Sequence, residues 1–458
     1  MNPDFKSLIE AQRTYYRSGV TRDYAYRKRA LQSLREALIA RTPKLVQALH
    51  ADLGKGADEA YMTEIGMLRS SISDTLRHLR RWMRPRRVPS TLAQFPSSCR
   101  VLAEPYGVAL VISPWNYPLL LSLDPLVAAL AAGNCCVIKC SEYASETARA
   151  ISELISELYP REYVTVVEGD ADVSRALLAE PFDHIFFTGG SRVGQSVMEA
   201  AARHLTPVTL ELGGKSPCII DRSADLELAA RRIAFGKILN AGQTCVAPDY
   251  VLLPRDSEAA FTDAFNRAVR NMLGEEPCEN ERYVRIVNER HFVRLCGLMQ
   301  DARVLAGGRV NAETLRIEPT LLGGITPDSR CMQEEIFGPL LPIIPCDGIA
   351  EAENFVLARP NPLACYLFTE SRSVEERLLE RLSFGGGCVN DTIVHLAVPG
   401  LPFGGVGASG MGSYHGKAGF DTFTHYKSVL RKGCWLDLPF RYHPISAFGR
   451  RMLRLFLR

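Results

Sequence analysis

The sequence lacks the features that would place it in a membrane or on nucleic acid. Its longest apolar run, residues 119–132, is interrupted by Asp124 and Pro125 and is too short to span a bilayer. The formal net charge is only +3, so no basic excess points to nucleic acid as a partner. The 458 residues are 47% hydrophobic and 23% charged, which predicts a globular protein of about two to three domains.

Paired cysteine motifs are also missing. Cys135, Cys136 and Cys140 lie close together but do not have the paired C-x-x-C spacing of structural zinc sites, so we expect no bound metal. The first six residues contain no apolar core of a signal peptide. Thirteen cysteines in a chain of this length do not form a disulfide framework, and we therefore expect reduced thiols and a cytoplasmic location.

Hydrophobic periodicity predicts two long helices in the N-terminal region. In residues 22–50, leucines recur near the 3.6-residue period and predict one amphipathic helix. Residues 65–79 repeat this pattern and predict a second helix, which a basic run containing Pro85 interrupts. We expect this basic run to form a solvated face or a subunit contact rather than a site for an acidic partner.

An alternating pattern of strands and helices begins near residue 106. Four short apolar runs are typical of buried parallel strands, at residues 107–112, 135–138, 163–167 and 184–187. Helix-patterned segments lie between them, so the sequence predicts a doubly wound α/β sheet. A second α/β series extends from residue 218 to about 390. The segments 88–103 and 422–430 are candidates to pair as a small separate sheet.

A glycine turn in residues 240–250, the cysteine turn, carries a candidate nucleophile. A helix-patterned segment ends at Leu239 and a strand-patterned one begins at Tyr250, and Gly242 between them permits a sharp turn. Such a turn would expose the sulfur of Cys245 for covalent catalysis. A cysteine in such a turn, taken alone, is also compatible with an inert core or surface position.

Four further motifs accompany the cysteine turn along the chain. They are PWNYP at 114–118, ELGGKSP at 211–217, EIFGP at 335–339 and PFGGVG at 402–407. Together the five motifs resemble the aldehyde dehydrogenase superfamily, and the run 410–417 resembles its class 3 branch. The resemblance covers about residues 22–429. It implies an α/β fold with a doubly wound parallel-sheet nucleotide domain, an α/β catalytic domain and a small β oligomerisation arm.

The resemblance also implies domain boundaries and an assembly. The implied units are an NAD-binding domain (1–87 and 104–211), a catalytic domain (212–417), an oligomerisation arm (88–103 and 418–432) and a C-terminal tail (433–458). Class 3 similarity implies a homodimer. It also implies that the substrates are medium- to long-chain aliphatic aldehydes or aromatic aldehydes.

A nicotinamide cofactor is implied as well, with NAD favoured and NADP possible. The residues implied to bind it are Lys139, Glu142, Gly189, Gly190, Gly194, Glu335 and Phe337. A glycine-rich turn between strand and helix lets backbone N–H groups approach phosphate, although the G-x-G-x-x-G fingerprint is absent here. Glu142 beside a ribose 2′-hydroxyl would repel a 2′-phosphate. Without the resemblance, Lys139 and Glu142 are equally compatible with an exposed ion pair at a strand end.

The implied chemistry is oxidation of an aldehyde to a carboxylic acid through a covalent intermediate. Cys245 is the implied nucleophile, because an aldehyde gives up hydride only after a thiolate has added to its carbonyl carbon. Asn116 is the implied donor to the oxyanion, and Glu211 the implied base for the hydrolytic water. Without the resemblance, a carboxylate that caps a helix or turn would be the simpler interpretation of Glu211.

Other assignments remain open at this level. Tyr117, Ile393 and Val398 are implied to line the substrate funnel, with core packing as the alternative for all three. His415 is a candidate proton shuttle, with a satisfied surface or interface histidine as its alternative. Rival functions are a CoA-acylating dehydrogenase, against which Glu211 argues, and a non-catalytic binding or structural protein on the same scaffold.

The tail beyond residue 433 predicts a short amphipathic helix. Phe448, Met452, Leu455 and Phe456 fall on one face, and arginines flank or oppose that face. A basic amphipathic helix of about three turns can contact an anionic membrane weakly. Docking on the body of the same chain, near the substrate entrance, is the favoured alternative, because a short helix gains most from tertiary packing.

Overall fold

The computed structural model describes residues 5–456 of the chain. Its α-helices are Phe5–Arg17, Tyr24–Ala40, Thr42–Leu53, Ala57–Ala60, Gly66–Trp82, Pro118–Ala132, Ser145–Leu158, Ala171–Leu178, Ser191–Ala202, Leu226–Ile238, Glu258–Leu273, Glu289–Leu298, Arg330–Gln333, Ile349–Leu357, Arg372–Arg381, Gly416–Thr422 and Ala447–Phe456. A π-helical turn covers Tyr61–Ile65. Short 3-10 turns are Val20–Arg22, Leu92–Gln94, Leu239–Gly242, Arg255–Ser257, Pro277–Glu279, Val394–Ala397, Gly407–Ser409 and Pro439–Arg441.

A six-stranded sheet forms the first α/β unit. In spatial order its strands are Gly410–Met411, Val208–Glu211, His184–Thr188, Val108–Ile112, Cys135–Lys139 and Val164–Val167. They run parallel except for Gly410–Met411, which pairs antiparallel with Val208–Glu211. The chain order reverses between Val108–Ile112 and His184–Thr188, and open α/β sheets bind ligands in the crevice beyond the carboxyl ends of the strands at such a switch point.

A seven-stranded sheet forms the second α/β unit. In spatial order its strands are Arg303–Ala306, Thr320–Gly323, Leu340–Cys346, Tyr250–Pro254, Pro217–Ile220, Ala364–Phe368 and Gly386–Val389. Arg303–Ala306 runs antiparallel to its neighbour, and the other strands run parallel. A separate short ladder joins Val310–Asn311 to Arg316–Ile317. Residues 212–216 connect the two sheets directly, so no long linker separates the units.

A third sheet, the arm sheet, joins strands that are far apart in the sequence. Arg86–Val88 pairs antiparallel with Ser97–Pro105, and Ser97–Pro105 pairs antiparallel over its whole length with Thr424–Lys432. This is the pairing that sequence patterns favour for residues 88–103 and 422–430. Most side chains of Thr424–Lys432 are exposed.

Apolar strands form the core of both α/β units. Every residue of Val108–Ile112, Cys135–Lys139 and His184–Thr188 is buried, as expected for parallel strands with helices on both faces. In the second sheet, Tyr250–Pro254 and Ala364–Phe368 are also fully buried. The short apolar runs in the sequence therefore predict the central strands to within one residue at either end.

The single helix predicted for residues 22–50 is wrong, because the segment forms two helices. Tyr24–Ala40 and Thr42–Leu53 are separated at Arg41, whose φ of −99° and ψ of 8° are not helical. Pro43 lies in the first turn of the second helix, where its missing N–H costs nothing. Leucines of both helices join the same core, so the hydrophobic pattern continues through the break and does not reveal it.

The tail forms the helix Ala447–Phe456, where the sequence predicts one. Arg458, expected on its basic face, lies outside the described residues. Phe448 and Leu455 are 66% and 59% exposed, so these side chains do not dock on the body of their own chain. No helix within residues 5–456 is long and apolar enough to cross a membrane.

Candidate active site

The cysteine turn has a strained backbone. After the helix Leu226–Ile238, the residues Asn240, Ala241 and Gly242 have φ angles of 52°, 51° and 69°. Only glycine adopts this left-handed conformation easily, and each other residue that adopts it costs about 1–2 kcal/mol. At Gly242 a Cβ would also overlap a backbone carbonyl of the neighbouring loop. This backbone path ends at Cys245, whose side chain is half-buried at the edge of a cavity.

Hydrogen bonds fix the cysteine turn to the loop of Asn116. The backbone N–H of Asn240 donates to the Glu59 carboxylate at 2.7 Å, and its side-chain amide donates to the carbonyls of Asn116 at 2.9 Å and Gln243 at 3.0 Å. The side chain of Asn116 donates to the carbonyl of Gln243 at 2.9 Å. An asparagine amide carries two N–H groups, so one N–H orients Asn116 and the other can donate to an oxyanion.

The surroundings of Cys245 disfavour the thiolate form of its sulfur. Burial raises the pKa of the Cys245 thiol far above its ordinary value, and the carboxyl groups of Glu335 and Glu211 add to the rise. The backbone N–H groups of Cys245 and Val246 act in the opposite direction, because they stabilise negative charge on the sulfur. Attack by this sulfur therefore needs a base, and the two carboxyl groups are near enough to influence it.

Glu211 is a buried carboxyl group without a hydrogen-bond partner. It ends the strand Val208–Glu211, it is 2% exposed, and neither carboxyl oxygen has a hydrogen bond within the described part of the chain. Burial raises the pKa of Glu211 well above its usual range. A capping carboxylate would accept backbone N–H groups, so the capping interpretation is not supported. A desolvated carboxyl group suits a general base for water.

The glycine turn that is predicted to bind phosphate lies at the switch point of the six-stranded sheet, beyond the carboxyl end of His184–Thr188. Gly189 and Gly190 lie between the strand His184–Thr188 and the helix Ser191–Ala202. Open space surrounds the position where a side chain would stand at Gly190, whereas at Gly194 a Cβ would overlap a neighbouring side chain. A phosphate in this crevice would meet a helix N-terminus, where backbone N–H groups favour negative charge.

Lys139 and Glu142 lie at the end of an adjacent strand of the same sheet. Lys139 is the last residue of Cys135–Lys139, and its buried ammonium group donates to the carbonyl of Cys140 at 2.7 Å. Burial lowers the pKa of Lys139, and the charge of Glu142 opposes that shift. The buried position of Lys139 does not fit an exposed surface ion pair. Glu142 itself is exposed and accessible to a ligand.

The loop of Glu335 and Phe337 is fastened against the cysteine turn. Asp249 accepts a backbone N–H of this loop at 2.9 Å and forms an ion pair with Lys215, which also donates to two carbonyls just before Glu335. Burial, followed by the charge of Asp249, raises the pKa of Glu335 to about 8. Phe337, at a φ of 49°, packs edge-on against Trp115 with the ring centres 5.4 Å apart.

These groups fit a dinucleotide cofactor. The glycine turn can hold its pyrophosphate, and Lys139 and Glu142 can hold the hydroxyls of one ribose. Glu335 can bind the second ribose, and at Gly213 only glycine leaves room for the Glu335 carboxyl group. When bound there, the nicotinamide ring would accept hydride.

An apolar cavity of about 170 Å³, the substrate cavity, ends at Cys245. Tyr117 and Ile393, both predicted for the substrate funnel, line it, and the Tyr117 hydroxyl is hydrogen-bonded to Thr244 at 2.6 Å. Other lining side chains are Met62, Met67, Leu120, Phe235, Leu396 and Phe403. A second cavity of about 270 Å³ shares Met62, Met67, Leu120 and Leu396 with the first, so the two adjoin as one channel that is apolar next to the thiol. Ser70, Ser71 and Asp124 line its far part.

Val398 and His415 differ in their relation to this channel. Val398 is 46% exposed and does not line the substrate cavity, and its neighbours in the turn Val394–Ala397 line it instead. His415 lines both cavities, and its Nε2 lies 3.8 Å from a carboxyl oxygen of Asp124. Burial lowers the pKa of His415, and Asp124 opposes that shift.

The structure adds residues to the site that sequence patterns do not indicate. Glu59, which holds Asn240, and Met62 and Met67, which line the channel, come from the helical residues 57–82. They lie far from every motif in the sequence, so only the tertiary fold brings them to Cys245. No group of three or more possible metal ligands occurs among residues 5–456.

Two doubly wound α/β units with a cysteine turn beside a dinucleotide crevice define a dehydrogenase fold. The aldehyde dehydrogenase family matches residues 2–429, and the chain belongs to that family. It is an oxidoreductase that oxidises aldehydes.

Similar proteins include members of family 3. The 4,4′-diaponeurosporen-aldehyde dehydrogenase of Staphylococcus aureus is 45% identical over 93% of this chain and 93% of its own length. Aldehyde dehydrogenase family 3 member H1 of Arabidopsis thaliana is 43% identical over 98% of this chain and 94% of its own length.

Solved structures of the same family show the same fold. The substrate-bound state of Staphylococcus aureus AldH has a TM-score of 0.97, with 42% identity and 99% of each chain covered. The NAD-dependent aldehyde dehydrogenase from Sinorhizobium meliloti has a TM-score of 0.85, with 28% identity over 95% of this chain and 89% of that one.

Proposed function

We propose that this enzyme oxidises medium- to long-chain aliphatic or aromatic aldehydes with NAD⁺, using Cys245 as its nucleophile. The observation that carries the proposal is the apolar channel that ends at Cys245. Beside that sulfur stand an oriented amide, Asn116, and a buried carboxyl group without a partner, Glu211. These are the parts that thiol addition and hydrolysis of a thioester require.

In the first half of the reaction, Cys245 Sγ loses its proton to a neighbouring base and attacks the aldehyde carbon. The oxyanion that forms accepts hydrogen bonds from the Asn116 amide and the Cys245 backbone N–H, each typically worth about 3 kcal/mol of barrier. A nicotinamide held in the crevice would supply the hydride acceptor, and loss of hydride would leave the acyl group on Cys245 Sγ as a thioester. In the second half, water that Glu211 deprotonates attacks this thioester and releases the acid and the thiol. Aldehyde, NAD⁺ and water thus give acid, NADH and protons.

Water is the proposed acyl acceptor. Transfer of the acyl group to CoA would need no base that activates water, whereas hydrolysis of the thioester does. The unpartnered carboxyl group of Glu211 supports hydrolysis. We expect the enzyme to form NADH over many turnovers with aldehyde and NAD⁺ alone. A strict requirement for CoA would instead favour the acylating reaction.

The substrate class is proposed from the apolar lining of the channel next to Cys245. Its side chains can bury an alkyl chain or a ring, and each buried CH₂ contributes about 0.8 kcal/mol. The relative from Staphylococcus aureus is named for an aldehyde of diaponeurosporene. A panel of straight-chain aldehydes from two to about twelve carbons, together with benzaldehyde, tests the proposal with both cofactors. We expect kcat/KM to rise with chain length, whereas highest kcat/KM for acetaldehyde would contradict the assignment.

The preference for NAD over NADP is proposed from Glu142, whose carboxylate would face a 2′-phosphate. Glu142→Gln removes the like-charge repulsion but keeps the size and a hydrogen-bonding oxygen. We expect the NAD to NADP ratio of kcat/KM to fall about fivefold in this variant. An unchanged ratio would mean that Glu142 does not approach the ribose.

We also infer a cytoplasmic homodimer. The exposed strand Thr424–Lys432 of the arm sheet supports dimerisation, and thirteen free cysteines support a reducing compartment. For the tail helix we propose weak contact with an anionic membrane, because its arginines accompany the exposed apolar side chains of Phe448 and Leu455. Sedimentation velocity of the purified protein tests the dimer.

A further inference from the structure

A charged pair lies fully buried beneath the loop of Asn116. Lys55 and Glu64 both have side chains that are 0% exposed, and Lys55 Nζ lies 2.5 Å from Glu64 Oε1. Removing two charges from water is costly, and their attraction often does not repay the cost, so a buried pair is weak evidence for a stabilising role. Neither residue lines the substrate cavity. The contacts that the pair makes with its neighbours explain its buried position better than a stabilising role does.

Lys55 contacts the loop from one side. Its ammonium group donates to the backbone carbonyl of Asn116 at 3.4 Å, and it lies 4.4 Å from the ring centre of Tyr117. The same carbonyl accepts from the Asn240 amide of the cysteine turn at 2.9 Å. Lys55 and the cysteine turn therefore hold one backbone atom of the residue whose side chain faces the oxyanion.

Glu64 contacts the loop from the other side. Its second carboxyl oxygen accepts the backbone N–H groups of Leu119 at 2.9 Å and Leu120 at 3.1 Å, in the first turn of the helix Pro118–Ala132. A carboxylate at a helix N-terminus is favoured by the helix dipole. The pair thus fixes both the carbonyl of Asn116 and the start of the helix that follows it.

We propose that Lys55 and Glu64 are positioning residues for Asn116, acting through the backbone of residues 116–120. The proposal rests on the proposed function, in which the Asn116 amide donates to the oxyanion. A reacting or donating group misplaced by about 1 Å can cost about 100-fold in rate. A charged pair that meets the loop at three backbone groups restricts that displacement.

The test removes both charges together, because either charge alone would remain buried without its partner. Lys55→Met keeps the apolar stem but loses the ammonium group that donates to Asn116. Glu64→Gln keeps an oxygen that can accept from Leu119 and Leu120. The quantity measured is the rate of NADH formation in the first turnover, after rapid mixing of enzyme and NAD⁺ with aldehyde.

We expect the double variant Lys55→Met/Glu64→Gln to lose about 10- to 100-fold in the first-turnover rate, with the Kd for NAD⁺ and the KM for aldehyde changed less than about twofold. Asn116→Ala is expected to lose about 100- to 1,000-fold. Adding the double variant to Asn116→Ala should cause no further loss. A full additional loss on the Asn116→Ala background, or a normal rate in the double variant, would overturn the proposal. A normal rate in Asn116→Ala would overturn the oxyanion role itself, and this proposal with it.

Arg27, in the helix Tyr24–Ala40, provides the matched control, because it is a buried cation that contacts the other end of the helix Pro118–Ala132. It is 4% exposed and donates to the carbonyl of Ala131 at 2.9 Å, about 20 Å along the helix from Asn116. Arg27→Met is expected to lower the Tm but to keep the first-turnover rate within about twofold. Equal rate losses at the two ends would mean general loosening of the helix and would overturn the proposal. If the double variant does not fold, Lys55→Gln/Glu64→Gln, which also removes both charges but keeps polar side chains, is measured instead, with an expected loss of about three- to tenfold; no loss would overturn the proposal.

Discussion

At the scale of single residues, burial determines the chemistry of the active site. The pKa values of the Cys245 thiol and the Glu211 and Glu335 carboxyl groups are all raised, and burial is the largest cause in each case. The groups of the site therefore favour their neutral forms, and a carboxyl group with a raised pKa is a stronger base once it is ionised. Glu211 can take a proton from water only in its ionised form, and the raised pKa makes that form the stronger base.

Replacing Glu211 by Gln is expected to spare formation of the thioester and to slow its hydrolysis, because the amide cannot accept a proton from water. Rapid mixing should show a burst of about one NADH per site, followed by a steady state about 100- to 1,000-fold slower than in the unchanged enzyme. Glu313→Gln, at an exposed glutamate between the strands Val310–Asn311 and Arg316–Ile317, serves as the control and should change neither phase. Loss of the burst would place Glu211 earlier in the reaction, as the base for Cys245.

The sequence predicts some residues of the site and not others, for a physical reason. Cys245, Asn116 and Glu211 lie in short motifs whose glycines and prolines can be recognised locally. Lys55 and Glu64 contact the Asn116 loop across 61 and 55 positions, and no local pattern records such a contact. Val398 is a residue that the resemblance assigns to the substrate funnel but that the structure places outside it. The turn Val394–Ala397 brings its neighbours to the cavity instead.

At the scale of elements, strands are predicted better than breaks between helices. A fully buried strand is a short apolar run bounded by polar residues, so its ends are visible in the sequence. The break at Arg41 is invisible, because the helices on either side bury leucines in one core. The left-handed residues Asn240 and Ala241 are equally hidden, since neither is the glycine that such a conformation normally signals.

The strand His184–Thr188 makes a testable contribution to acid sensitivity. His184 is buried between the rings of Tyr106 and Phe423, and burial lowers its pKa to about 3. In the unfolded chain its pKa is about 6.5, so below that pH the unfolded state binds a proton that the folded state excludes. The stability contribution of His184 is therefore complete above about pH 6.5 and is lost as the pH falls toward 3. At pH 5 the exclusion of this proton lowers the free energy of unfolding by about 2 kcal/mol.

His184→Phe should remove this pH dependence of stability. The Phe ring can pack against the same aromatic neighbours, but it binds no proton. Urea unfolding at pH 7.5 and pH 5 measures the difference in the free energy of unfolding, which should shrink by about 2 kcal/mol in the variant. As a control, His50→Phe at an exposed histidine should leave the difference in the free energy of unfolding between pH 7.5 and pH 5 unchanged. An equal difference in His184→Phe and the unchanged protein would mean that His184 is not the group excluded from protonation.

Deleting residues 444–458 tests the tail helix. The full-length protein is expected to sediment weakly with vesicles that contain phosphatidylserine at low salt and not at high salt, and the truncated protein in neither condition. Vesicles of phosphatidylcholine alone are the control for charge. If neither form sediments while the KM for long-chain aldehydes changes on truncation, the helix packs near the substrate entrance of a second copy instead.

At the scale of the whole molecule, strands cross the boundaries that the sequence suggests. Gly410–Met411 belongs to the second half of the chain but completes the first sheet, with Gly410 opposite Glu211. The arm sheet joins Ser97–Pro105 to Thr424–Lys432, the two segments that the resemblance groups as one arm. Both pairings bring together segments that lie far apart in the sequence. Glu211 is held at the seam between the two units, where its carboxyl group can meet an intermediate on Cys245.

The most direct test of this account is the formation of NADH by Cys245→Ala with a long-chain aldehyde and saturating NAD⁺. Alanine removes only the sulfur, so the variant should keep the Tm of the unchanged enzyme and its affinity for NAD⁺, measured by quenching of tryptophan fluorescence. Its turnover should fall to the background of a reaction without enzyme, because no other side chain at the end of the channel can form the thiohemiacetal. NADH formation above that background by the folded variant would contradict the role of Cys245 and the mechanism built on it.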